Sequence, residues 1–200
     1  MIRVACARNR PSDSTAVVGH VASASALGLA QALLLAVGAG CGRSTPEPAL
    51  AGERSNLPKQ AQPRLPAVKL WLGPHELTAE VARNERERSA GMMFRTNLAE
   101  NEAMLFVFPY AAQVSFWMKN VPIPLSCAYL NREGVIVELH ELKPHDETPV
   151  VAESREVQFV IETAQGWFER NRVGVGTLVQ TEKGSLRETF FGRMPSGGER

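Results

Sequence analysis

The sequence predicts a mainly β domain, a small sandwich or barrel of about eight short strands with one or two short helices. Three observations predict it. Short apolar or alternating runs recur from Ala67 to Phe190. Gly, Pro, Asn and Asp separate them at intervals too short for crossover helices. A helix-start pattern stands out in only one or two places.

The elements follow in order. Val68, Leu70 and Leu72 alternate with Lys69 and Trp71, which is strand periodicity. Gly73-Pro74-His75 is a turn, and Leu77–Val81 a second strand. Asn84 with Glu87 three residues later has the spacing of a capping box, and Gly91 can end the short helix it starts. Met104–Phe108 reads as a buried strand, Val114–Lys119 as another, and Val121-Pro122-Ile123-Pro124 as an extended corner. Cys127–Leu130 and Val135–Leu139 flank Gly134 as a hairpin. His140–Pro149 is expected to be a polar loop and Val157–Glu162 a strand, with a short helical turn at Gly166–Arg170. Thr177–Thr181 and Leu186–Phe190 are expected as a last strand pair.

The segment before the domain gives an address. Arg3, Arg8 and Arg10 precede a stretch from Val21 to Gly40 that has no charge, and Gly38-Ala39-Gly40 leads into Cys41. That is the basic, apolar and small-residue order of a secretory signal. The expected organisation is a signal peptide over 1–40, a lipidated Cys41 with a proline-rich tether over 41–66, one globular domain over 67–190, and a disordered tail over 191–200. Lipidation would place the chain on the outer face of the cytoplasmic membrane or in the outer membrane, with its domain in the periplasm or outside the cell. An uncleaved helix over the same apolar stretch gives the same sidedness.

Formal net charge is +1 for the chain and falls to −1 once residues 1–40 are removed. A near-neutral domain lacks the field that attracts phosphate, so nucleic acid is not an expected partner. With Cys6 removed and Cys41 lipidated, Cys127 is alone and no disulfide can form within the chain. A monomer is expected.

Four segments carry a family resemblance: Arg88-Ser89-Ala90-Gly91-Met92-Met93-Phe94-Arg95, Ala103–Phe108, Ser115-Phe116-Trp117-Met118-Lys119-Asn120-Val121-Pro122-Ile123-Pro124-Leu125, and Val160–Gly166. Together they resemble domain-of-unknown-function family 192 over roughly 67–181. The resemblance implies a jelly-roll-like, often exported domain, and brings no activity, substrate or cofactor. Ala103 stands where the family has Gly, and Ser126 where it has Asp, so chemistry built on that Asp is not expected here.

The candidate cleft comprises Arg95, Trp117, Lys119, Asn120 and Glu162. An aromatic platform, a cation and an amide suit a small anionic or glycan ligand. Trp117 packed in the core and Asn120 bonded to its own turn is the structural alternative. Lys119 and Glu162, each a lone charge ending an apolar strand, are expected to pair. His140, His145, Asp146 and Glu147 have no metal-site spacing, so no metal or cofactor is expected. Cys127 reads as a buried small hydrophobe rather than a nucleophile.

The leading expectation is an exported lipoprotein whose domain is a non-catalytic envelope binding module. One alternative is an envelope hydrolase using the cleft around Trp117, Lys119 and Asn120. No Gly-x-Ser-x-Gly or His-Glu-x-x-His motif supports it. Another is a soft-metal module in which Met92, Met93, Met104, Met118 and histidines hold copper.

Overall fold

The computed structural model describes residues 57–192. The signal segment, Cys41, most of the tether and the tail after Gly192 lie outside them. In chain order the strands are β1 (Ala67–Leu72), β2 (His75–Ala82), β3 (Glu102–Ala112), β4 (Ser115–Phe116), β5 (Leu125–Asn131), β6 (Ile136–Leu142), β7 (Val150–Val151), β8 (Val157–Ala164), β9 (Val179–Thr181) and β10 (Gly184–Ser185). The helices are α1 (Glu85–Ala90), α2 (Trp167–Arg170) and α3 (Leu186–Phe191). The mainly β expectation holds.

Eight strands form one sheet in the order β10-β9-β1-β2-β3-β8-β5-β6, and β4 pairs with β7 as a separate ribbon. Only β2 and β3 run parallel, because α1 and its loop carry the chain across between them. The sheet curls until its ends meet. Ile136 N–H donates to Thr177 O at 2.9 Å, Gly176 N–H to Ile136 O at 2.8 Å, and Val179 N–H to Gly134 O at 2.9 Å. A bridge between Val135 and Leu178 completes the closure. The architecture is therefore a barrel, which leaves no long open edge.

Strand alternation then divides the apolar residues into two sets. One set fills the barrel: Leu70, Leu77, Leu105, Leu130, Phe159 and Ile161 are among its members, and every long strand contributes. The other set lies on the outer face of β3, β5 and β8, beneath the loops that follow β2, β3 and β6. Glu162 and Val160 belong to that outer face, since Phe159 and Ile161 point inward.

The Asn84–Glu87 capping box forms as its spacing predicts: Glu87 N–H donates to Asn84 Oδ1 at 2.9 Å, and the Glu87 carboxylate accepts from Asn84 N–H. Four details differ from the sequence reading. Val114–Lys119 is not a full strand. Only Ser115 and Phe116 pair, and Val121 N–H closes a turn on Met118 O at 3.1 Å, with Asn120 at φ +58°. The prolines at 122 and 124 supply no amide with which to continue a ladder. Leu186–Phe190 is helical, because Ser185 and Glu188 form a second capping box. His140 and Glu141 belong to β6 rather than to a loop. The last residues of the expected tether dock on the domain: Gln62 Nε2 donates to Glu87 O and Gly91 O, and Leu65 N–H donates to Glu80 Oε2 at 2.7 Å. Leu57 and Leu65 pack on the outer core.

Candidate functional site

Glu162 is the natural starting point, since a carboxyl on a strand packed between apolar layers needs a reason. It lies on the central strand β8, with Met104 opposite it on β3 and Cys127 opposite it on β5. Glu162 is 5% exposed, and its Oε2 has no hydrogen-bond partner among the described residues. Burial pushes its pKa up to about 8, and no cation offsets that effect. The carboxyl therefore holds its proton at neutral pH. The same burial, with the Glu162 charge as a secondary cause, raises the Cys127 thiol well above its ordinary range. Cys127 is accordingly an inert thiol.

The expected Lys119–Glu162 pair does not form. Lys119 Nζ lies 3.0 Å from Glu147 Oε2 and 5.2 Å from the centre of the Trp117 ring. The physical reason is the turn at Met118–Val121, which ends β4 early and carries Lys119 away from β8. The loop after β6 then brings Glu147 to it: Met118 N–H donates to Asp146 O at 2.8 Å and His145 N–H to Val121 O at 3.0 Å.

Trp117, rather than Lys119, shares a recess with Glu162. The two line one small recess of about 20 Å³, lined also by Arg88, Met92, Met93, Phe106 and Val121. The Trp117 Nε1–H is also buried and without a partner among the described residues. Arg88 lines the recess too: its Nη1 donates to Val107 O at 3.0 Å and to Arg83 O, and its guanidinium lies over the Phe108 ring. Trp117 also walls a second recess of about 80 Å³, lined by Met118, Leu142 and Val150 together with Glu141, Lys143, Asp146 and Thr148.

Arg95 and Asn120 play other parts. Arg95 makes a two-pronged pair with Glu80 at 2.9 and 2.8 Å, so its fork clamps a carboxylate of this chain rather than a ligand. Burial alone would raise the Glu80 carboxyl. The Leu65 amide, Arg64 and Arg95 outweigh it and hold the carboxyl below its ordinary value. Asn120 O accepts from Phe94 N–H at 2.7 Å, tying the Met92–Arg95 turn to the Trp117 loop. Among the described residues no three His, Cys, Asp or Glu side chains are placed to hold a metal ion. Ser126 is fully buried, where its Oγ bonds Glu141 and accepts from Gly166 N–H at 2.7 Å.

The sequence reading grouped Trp117 and Glu162, and the structure brings them together. It missed Arg88, Met92 and Met93 as recess lining. The signal for them was in the resemblance itself, since each of the four segments contributes to this recess: Arg88, Met92 and Met93 from the first, Phe106 from the second, Trp117 and Val121 from the third, Glu162 from the fourth.

Fold and recess define a small β-barrel domain with a solvent-facing pocket on its outer wall. The chain belongs to the DUF192 family, described as "Uncharacterized ACR", whose model matches residues 68–181. It is similar to a solved protein of unknown function from Novosphingobium aromaticivorans DSM 12444, at 30% identity and TM-score 0.53, covering 57% of this chain and 83% of that one. It is also similar to a protein from Sinorhizobium meliloti 1021 provisionally described as a transcription regulator, at 30% identity and TM-score 0.54, covering 57% of this chain and 92% of that one. No curated protein matches the chain.

Proposed function

We propose that the domain is a non-catalytic binding module, exported and held to a membrane through Cys41, and that its ligand occupies the recess between Glu162 and Trp117. One observation carries the ligand site. Two buried polar atoms, Glu162 Oε2 and Trp117 Nε1, have no hydrogen-bond partner among the described residues, and both of their residues line the same recess. Each unsatisfied buried group costs about 1–3 kcal/mol, a loss that a small polar ligand entering the recess would recover. Glu162 is the single carboxyl among the recess residues. Acid–base hydrolysis of a glycosidic bond needs a second carboxylate across from the first, so binding is the reading we favour over the hydrolase. The address rests on Gly38-Ala39-Gly40-Cys41 behind an uncharged apolar stretch.

Native mass spectrometry of the full chain, purified in mild detergent from a bacterium that makes it, tests the site. A small non-covalent adduct is expected in the wild type and not in Trp117→Ala or Glu162→Leu. A wild-type chain that is bare in every preparation sinks the binding reading. Palmitate labelling that disappears in Cys41→Ala is the expected result for the anchor, and labelling that persists contradicts it.

A further inference from the structure

We infer that the recess takes one bare Cu(I) ion, held by the Met92 and Met93 thioethers and the Glu162 carboxyl, an inference that rests on the binding reading above and names its ligand. Size limits the occupant. A recess of about 20 Å³ admits one body no larger than a water molecule, so a sugar, a peptide or a hydrated ion does not fit. The donors then select a soft ion. Met92 and Met93, neighbours in the turn after α1, both line the recess beside Glu162. Met104 and Met118, the other methionines of the described residues, do not. A water molecule would use the carboxyl and gain nothing from two thioethers. Thioethers favour Cu(I), whereas Mg²⁺ and Ca²⁺ require oxygen ligands. No three His, Cys, Asp or Glu side chains stand together among the described residues, so a zinc-type donor set is missing as well.

Charge selects further. Glu162 is protonated at neutral pH, with no cation in contact. Binding exchanges that proton for the ion: the proton leaves to solvent, a carboxylate oxygen takes Cu(I), and the net charge of the recess is unchanged. A divalent ion would leave an uncompensated positive charge among Met92, Met93, Phe106 and Val121. The Arg88 guanidinium, which also lines the recess, opposes such an excess. Trp117 and Phe106 add aromatic surface, which attracts a cation. Soft atoms flank the carboxyl on its own sheet as well, since Met104 lies opposite Glu162 on β3 and Cys127 opposite it on β5. A cation thus serves the carboxyl where the sheet provides no hydrogen-bond donor.

The test uses the full chain in mild detergent with labelled methionine methyls. Ag(I) in chloride-free buffer is the redox-stable stand-in for Cu(I). Ag(I) is expected to shift the Met92 and Met93 methyls and the Trp117 indole N–H, and to leave Met194, Trp71 and Trp167 unmoved. Zn²⁺ and Mg²⁺ should shift none of them. Met92→Leu and Met93→Leu conserve volume and should melt like the wild type. Each should lose about tenfold or more in Ag(I) affinity at this site, at least what the loss of a supporting group costs a metal site. Glu162→Gln should lose a similar factor. In the absence of oxygen the wild type should draw Cu(I) from bathocuproine disulfonate more strongly than the Met92→Leu/Met93→Leu double variant does. Ag(I) binding that survives both leucine substitutions and disappears in Cys127→Ser would place the ion on the buried thiol and overturn this site. Zn²⁺ binding as tight as Ag(I) would overturn the soft-ion selection. If no ion shifts Met92, Met93 or Trp117, the copper inference fails. An organic adduct in the mass spectrum would then leave the binding reading standing, and a bare chain would end that reading too.

Discussion

Trp117 and Glu162 line one recess, and Trp117 Nε1 and Glu162 Oε2 are both buried without a hydrogen-bond partner among the described residues. They come from a loop and a central strand, 45 residues apart in the chain, and the turn at Met118–Val121 follows Trp117 directly. The same turn sends Lys119 to Glu147. The turn thus leaves Glu162 without the cation expected for it.

Glu162 should make stability depend on pH. Its pKa is about 8 in the folded protein against an ordinary 4.5. The folded state therefore binds the extra proton between those values, and this group's contribution to stability declines as pH rises through that window. The decline approaches about 1.4 kcal/mol per pH unit. Urea unfolding across the window should show Glu162→Gln gaining on the wild type as pH rises. Parallel curves would contradict the burial of an uncompensated acid.

Lys119→Met and Glu147→Gln should each cost about 0–1 kcal/mol. The pair is solvent-screened, with side chains 24% and 56% exposed. Thermal unfolding checks this, and a loss of about 3–5 kcal/mol from either would indicate a buried pair.

Glu80→Ala should cost about 3–5 kcal/mol. Glu80 accepts from Arg64, from Arg95 through two bonds, and from the Leu65 amide, and its side chain is 10% exposed. Losing it leaves the Arg95 guanidinium buried and alone and releases Leu65. Limited proteolysis should then cut near residues 57–65, which the wild type protects. A digest that does not change would show that Glu80 does not hold the segment.

Ser126→Ala should cost about 1–3 kcal/mol, because Gly166 N–H loses its acceptor and Glu141 its partner. Denaturant melts check the size of the loss, and a neutral result would show that water replaces the hydroxyl.

Local chemistry made much of the fold legible in the sequence. The alternation at Val68–Leu72, the apolar run at Met104–Phe108 and the Asn84–Glu87 box all became the elements they encode. Ser185 with Glu188 carried the same capping signal, but the apolar run after it was read as a strand. Barrel closure between Ile136 and Thr177 was not legible, since it depends on accumulated sheet curvature. The site was half legible. Trp117 and Glu162 stood out as a bulky aromatic and a charge in apolar surroundings. The Lys119 partner was misread, because pairing depends on a loop 28 residues away closing over it. Arg95 was placed in the cleft because nothing local reveals that Glu80, on β2, accepts its fork.

The most direct test of the ligand site is a crystal structure of the full chain purified from a bacterium that makes it, with Trp117→Ala treated in parallel. A co-purified ligand within hydrogen-bond distance of Glu162 Oε2 or Trp117 Nε1 is predicted in the wild type, with an altered or lost pose in the variant. A recess holding only a side chain that has moved in to satisfy both atoms would contradict it.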